Sequence, residues 1–405
     1  MELQHSRRSK TLSNGREKSK PIPIDLIMEI LSRLPVKSIG RCCCVSKLWA
    51  PILRLPYFLE LFSTRSSARP QILFAYGGKH QVSFLSSHQL PNPDENSPSC
   101  VAADHLSQVR FGGSFCHISG HVNGLVCITV RDKEPIQGPR KVIWTEHIIC
   151  NPSTGQTLSL PKFVTMVGVT RAFKVVSFLW YDDIDKQFKV LSMEQHSYQN
   201  RQHHVLTLGT QKLEWRKIKS CEPHRSIHSG ICINGVLYYP AVHGYTDTPV
   251  IVCFHLRSEE FNYIEVETTT FTEEVRQGHL INYNGKLGSL LSRGYGFADG
   301  ASRSFELLVI GDFQKQEWSM HKYVLPPMWK NMVKESLRFV GFIGTNMIVL
   351  SRSSYVIYYN IEENTIVKVG IQGMEGFDPI FDFFTFLDYV EDLKLMQEFD
   401  DFFRT

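Results

Sequence analysis

The chain has 405 residues, 42% of them apolar, with ten cysteines and a formal net charge of +4. That length exceeds one typical domain, and the apolar content supports a sizeable core. The charge is local: residues 1–20 hold Arg7, Arg8, Lys10, Arg16, Lys18 and Lys20 against Glu2 and Glu17, which accounts for the whole +4 and argues against a body built to grip nucleic-acid phosphates.

The first 20 residues read as a basic, disordered tail with no apolar run of the signal-peptide kind, and its Lys/Arg cluster is a candidate nuclear address. No window approaches the ~20 apolar residues of a membrane span. The cysteines are scattered apart from Cys42–Cys44, a usage that suits a reducing compartment. The expected location is intracellular, in the cytoplasm and/or nucleus, with no membrane or nucleic-acid partner.

Residues 21–64 have helical texture. Leu26, Ile27, Ile30, Leu31 and Leu34 fall within roughly 140° at ~100° per residue, which predicts an amphipathic helix with a wide apolar face. Pro23 suits its first turn, Asp25 sits where the helix dipole favours a carboxylate, and Pro35 is expected to end it. Ser46 is a cap for a later helix, and Trp49, Ile52 and Leu53 give a second apolar stripe. Three short helices cannot bury all of this, so the surplus suits a docking surface.

From about residue 70 the pattern changes to short β runs and turns. Asn-Gly, whose residues both accept the positive φ of a tight hairpin turn, occurs in GHVNGLVCI (120–128), ICINGVLYY (231–239) and LINYNGKLGSL (280–290), with variants at 178–191 and 339–350. A second kind of hairpin alternates with these at 147–161, 204–218, 250–266, 307–323 and 355–369, and two of them share Glu-Trp after the turn, Glu214-Trp215 and Glu317-Trp318. Each pair of hairpins is a four-stranded unit recurring every ~50 to 60 residues, as in a β-propeller. Five units are complete. An early strand pair at 71–87 lacks its first hairpin, so a sixth blade is expected to be completed by C-terminal strands near Phe381 to Tyr389, which also removes exposed sheet edges.

Two resemblances follow. Residues 21–64 resemble an F-box through Ile22-Pro23-x-Asp25-Leu26, Glu29-Ile30-Leu31-x-Arg33-Leu34-Pro35-Val36-Lys37-Ser38 and Val45-Ser46-Lys47-x-Trp49. Cys42-Cys43-Cys44 departs from it, because relatives commonly carry an aromatic and an arginine before the cysteine. Residues 65–394 resemble the F-box-associated, kelch-like domain of a large plant family through Gly120-His121-Val122-Asn123-Gly124-Leu125-Val126-Cys127, Asn151-Pro152-Ser153-Thr154-Gly155 and Tyr389-Val390-Glu391-x-Leu393. The expected fold is mainly β with a small N-terminal α domain: a three-helix F-box, then a β-propeller-like kelch-type domain of about six blades closed by C-terminal strands. Residues 395–405 form an acidic, aromatic tail.

Chemistry-bearing residues give no catalytic constellation. Cys42, Cys43 and Cys44 point some 100° apart on a helix and do not make one tetrahedral ligand set. Cys116 and His117, with His121 nearby, lack a third orienting group. His196, His203, His204, His224 and His228 match no established ligand spacing. Trp144, Trp180, Trp215, Trp318 and Trp329 are read as blade packing. No metal site, catalytic residue or cofactor is expected. The loops at 131–141, 195–202, 245–248 and 295–304 are candidates for contact with a target, with Tyr245, Tyr295 and Phe297 as its aromatic residues.

The F-box resemblance implies the non-catalytic substrate receptor of an SCF-type cullin-RING ubiquitin ligase. It would bind a Skp-family adaptor, and through it cullin and RING subunits, and hold an unidentified target protein. By the same resemblance Pro23, Leu26, Ile30, Leu31, Leu34, Pro35, Val45 and Trp49 lie at or just beneath the adaptor interface. Two alternatives stay open at this point: a scaffold acting outside any ligase, and a propeller enzyme. The latter needs polar groups at its axis, where strands such as 125–128 and 236–239 are mainly apolar.

Overall fold

The computed structural model describes residues 22–45, 49–94, 96–134, 140–168, 173–196, 203–210, 212–218, 222–227, 229–244, 246, 248–265, 278–292, 297–312, 317–374 and 382–393. Ser46 and both terminal tails lie outside this set.

Helix α1 spans Ile24–Leu31, directly after Pro23, with Asp25 in its first turn. It ends earlier than the sequence suggests, at Ser32, whose N–H bonds to the Met28 carbonyl and whose hydroxyl bonds to the Glu29 carbonyl. Pro35 opens the second helix, α2 (Val36–Val45), and its carbonyl accepts from the amides of Ser38 and Ile39. A 3-10 turn at Ile52–Arg54 leads into α3 (Pro56–Ser67), which starts on a proline, the residue that loses least there. Met28, Leu31, Val36, Ile39, Ile52, Phe58 and Phe62 form the core of this unit, with Trp49, Leu53 and Leu34 against it.

The remaining chain forms six sheets. Blade 1 is ordered Asp382–Tyr389, Gln71–Gly77, Gln81–His88, Asp104–Arg110. Blades 2 to 6 begin at Ser114, Phe173, His224, His279 and Arg338, and the first four strands of each come from a contiguous stretch of chain. The C-terminal strand Asp382–Tyr389 pairs antiparallel with Gln71–Gly77 and closes the ring. A second latch joins blades 6 and 1: Cys100–Ala102 runs parallel to Gly370–Gln372 on the outer edge of blade 6.

Most second strands are buried on both faces, and the period of two explains how each serves two neighbours. In Gln71–Gly77, Ile72, Phe74 and Tyr76 face blade 6, whereas Leu73 and Ala75 face blade 2. Six apolar clusters result, one at each junction between blades. First strands of neighbouring blades approach one another, which puts them at the axis. Strands 125–128 and 236–239, expected there, belong to second strands one step outward.

The three Asn-Gly pairs adopt the expected positive φ at both residues: Asn123 47° and Gly124 78°, Asn234 50° and Gly235 77°, Asn284 52° and Gly285 75°. Antiparallel order then sorts the loops. Turns joining first to second and third to fourth strands share one face. Connections joining second to third strands and successive blades share the other. Helix α3 ends at Ser67, shortly before the second strand of blade 1, so the helical unit sits on the face of the tight turns.

Candidate functional site

The helical unit divides its apolar residues between two sides. Leu31 is 2% exposed and packs in the core with Met28, which the sequence pattern did not include. Leu34 and Trp49 are half-buried against the same core. Leu26 and Ile30 are each 54% exposed, and at a spacing of four they share one helix face. Pro23, Pro35, Ile22 and Ile24 are exposed too. Ile22 precedes the helix, before the non-helical Pro23, so the helical spacing says nothing of where it points. Val45 falls in α2, with its side chain outside the described set.

This face is held in place by Glu29. Its carboxylate accepts from Arg33 at 2.6 Å on the same helix and from Arg65 of α3 at 2.6 Å. The hydrogen bonds from Arg33 and then Arg65 keep its carboxyl below the usual value, so the tie between α1 and α3 is fully ionic at neutral pH.

On the same side of the propeller the three body motifs converge, though they are far apart in sequence. His121 Nε2 donates to the Leu387 carbonyl at 2.7 Å, and its ring meets Tyr389 edge-on with centroids 5.6 Å apart. Burial lowers the His121 pKa against the opposing pull of that carbonyl, so the ring stays neutral. Asn151 Oδ1 accepts from the amides of Ser153 and Thr154, while its Nδ2 donates to the Asp392 carbonyl at 2.7 Å. Ser153 and Tyr389 share a hydroxyl hydrogen bond of 2.6 Å. Beyond it Glu391 reaches the Val36 amide and Leu393 enters the helical core. A cavity of about 490 Å³ lies beside this junction, bordered by Ser67, His121, Asn123, Phe178, Cys232 and Asp388.

The strands that flank the four candidate target loops are the second and third of blades 2 to 5, and their facing ends open on the opposite face. The stretch at 131–141 is shorter than expected, because strands Val126–Glu134 and Arg140–Cys150 extend into it. Phe297 is 51% exposed; Tyr245 and Tyr295 lie outside the described residues. Exposed Val324 and Met328 border the connection from blade 5 to blade 6, and neither stood out in the sequence. That connection is knit to the Phe297 loop: Ala298 pairs with Leu337, and the buried Trp329 donates its indole N–H to the Asp299 carbonyl at 2.6 Å.

The histidines take up structural places. His117, Thr129 and His147 are cross-strand neighbours in blade 2, as are Ser177, Ser192 and His204 in blade 3. The two rows meet where Thr129 and Ser177 share a 2.6 Å hydrogen bond. His203 and His224 stack at 5.3 Å, and His224 bonds to the Tyr239 hydroxyl at 2.6 Å. His196 and His228 contribute no described side chain. Trp180 and Trp329 are buried in blade packing, and Trp215 donates to the Pro161 carbonyl across blades 2 and 3. Among the described residues, no three His, Cys, Asp or Glu side chains are placed to hold a metal ion. No helix among them is long and apolar enough to cross a membrane.

Comparison with known proteins matches the two parts separately. The F-box domain family matches residues 22–61, and the F-box associated beta propeller domain family matches residues 71–390. The chain is 47% identical over 393 residues to F-box protein DOR of Arabidopsis thaliana, covering 95% of this chain and 97% of that relative. It is also 47% identical over 395 residues to F-box protein At5g65850 of the same plant, covering 96% and 93%. With its helical unit, closed six-bladed body and end-to-end relatives, the chain belongs to the F-box proteins that carry an F-box associated β-propeller domain.

Proposed function

We propose that this F-box protein is the substrate-recognition subunit of an SCF-type cullin-RING ubiquitin ligase. The observation that carries the reading is the row of Leu26 and Ile30, each 54% exposed, on a helix whose Met28 and Leu31 already fill the core of the helical unit. Each propeller junction has its own core, so nothing within the described chain needs that row, and a Skp-family adaptor is the partner an F-box supplies it with. Pro23, Leu26, Ile30 and Pro35 contact the adaptor; Leu31, Leu34 and Trp49 support them from beneath, and Val45 belongs to the same surface.

The target docks on the far face, where Phe297 lies among loops that a rigid scaffold varies freely, and Tyr245 and Tyr295 belong to the same proposed surface. The receptor does no bond chemistry: it holds a target protein near a ubiquitin-charged enzyme and so raises the local concentration of one beside the other. It acts inside the cell, in cytoplasm, nucleus or both, with residues 21–64 and 65–394 as its two working parts. Purification of the tagged full chain tests this. Cullin and RING subunits recovered with the adaptor support the ligase role; an adaptor recovered without cullin points to a scaffold instead.

A further inference from the structure

We propose that residues 390–393 are a fourth element of the F-box, through which closure of the propeller sets the order and orientation of the adaptor-binding helices. Glu391 and Leu393 are its positioning residues. The proposal rests on the adaptor reading only for the last of the measurements below.

Leu393 is buried in the cluster that also holds Leu31, Val36, Phe58 and Phe62, and it is the member of that core contributed by the far end of the chain. Two residues earlier, Glu391 is buried at the start of α2 and accepts from the Val36 amide at 3.3 Å, across 355 residues of sequence. Between them Asp392 is gripped by the propeller: its carbonyl accepts from Asn151. Gly124 approaches so closely that an added Cβ would stand 2.7 Å from the Asp392 Cβ. One four-residue segment therefore has alternate residues in two units, as an extended strand end does.

This attachment is separate from the ties at α3 and α2. One of those is covalent, where α3 ends at Ser67 and blade 1 resumes at Gln71. Arg69 within that short link donates to the Arg33 carbonyl at 2.7 Å, and Lys37 donates to the His105 carbonyl of blade 1 at 3.0 Å. A unit tied at one point swings about it, whereas ties at separated points fix its orientation. Segment 390–393 leaves the closing strand directly, so opening that strand withdraws Leu393 from the F-box core.

Amide hydrogen exchange on the full chain tests the inference without any adaptor. In Leu393→Ala, opening of α1 to α3 is expected to rise by more than about tenfold, as loss of a packed leucine predicts, while blades 3 to 5 keep their protection. Leu393→Met, which refills the space, restores it. Asn151→Ala, which releases Asp392 without touching the helical core, gives the same loss in weaker form. Unchanged protection of α1 to α3 in Leu393→Ala overturns the proposal. If that variant unfolds throughout, Asn151→Ala decides by the same two outcomes. Adaptor affinity is expected to fall with helix protection; exchange that behaves as described in a chain that binds no adaptor would reject the adaptor reading and leave this one standing.

Discussion

The carboxylate of Glu391 accepts a hydrogen bond from the Val36 amide, joining a residue two positions past the propeller's closing strand to the first residue of α2. The first amides of a helix have no partner within it, and the dipole favours a negative group there. Here that group comes from the other end of the chain.

Burial nevertheless raises the Glu391 pKa above the usual carboxylate value, outweighing the Val36 amide and Arg69, which pull it down. The folded chain then holds this proton more tightly than the unfolded chain, so its contribution to stability falls as pH rises through the window just above the ordinary value. Glu391→Gln keeps an acceptor for Val36 and does not ionise. Its urea midpoint should depend less on pH across that window and match or exceed that of the parent at neutral pH.

Surface and core positions of the F-box should separate cleanly. Leu26→Ala with Ile30→Ala removes exposed side chains and is expected to cost about 2 kcal/mol or more of adaptor binding with an unchanged melting temperature. Leu31→Ala empties a core position and should lower stability by about 2 to 5 kcal/mol, with weaker binding as a consequence. Calorimetry and thermal melts on the same samples distinguish the two effects.

Two glycines with nearly equal backbone angles predict unequal costs. Gly235, at φ +77°, has nothing within 4 Å of an added Cβ, so Gly235→Ala carries only the backbone strain of about 1 kcal/mol. Gly124, at φ +78°, faces the Asp392 Cβ at 2.7 Å and the Val390 carbonyl oxygen at 2.9 Å. Gly124→Ala should cost clearly more and expose α1 to α3 to exchange, which denaturant titration and exchange together would show.

Acid should weaken the seam between blades 2 and 3. Burial, with His117 and His204 nearby, pulls the His147 imidazole down to about 3, while an unfolded chain takes up that proton near the ordinary value of ~6.5. The stability gained from keeping it neutral is complete above that value and is lost as pH falls towards 3, by up to about 1.4 kcal/mol per pH unit. Denaturation midpoints for His147→Gln should fall less steeply in that range.

The propeller was largely legible because its signals are local. Asn-Gly favours the positive φ of a tight hairpin turn, which all three pairs adopt, and the unmatched strand pair at 71–87 calls for a partner that Asp382–Tyr389 supplies. The split of the first helix was less legible. Leu26, Ile30 and Leu31 lie in one apolar arc, and hydrophobicity alone does not say which part of a wide arc faces inward. Pro35 suggests a stop because proline breaks helices, yet it serves equally well just before one. The convergence of His121, Asn151 and Tyr389 was not legible. Each motif was visible, but contacts spanning more than 200 residues leave no periodicity to read.

The adaptor interface is tested most directly by isothermal titration of the purified full chain with a Skp-family adaptor, alongside Leu26→Asp/Ile30→Asp. One-to-one binding by the parent, lost in a variant that melts at the same temperature, is the predicted result. Absence of binding by the folded parent, or equal binding by the variant, would contradict it.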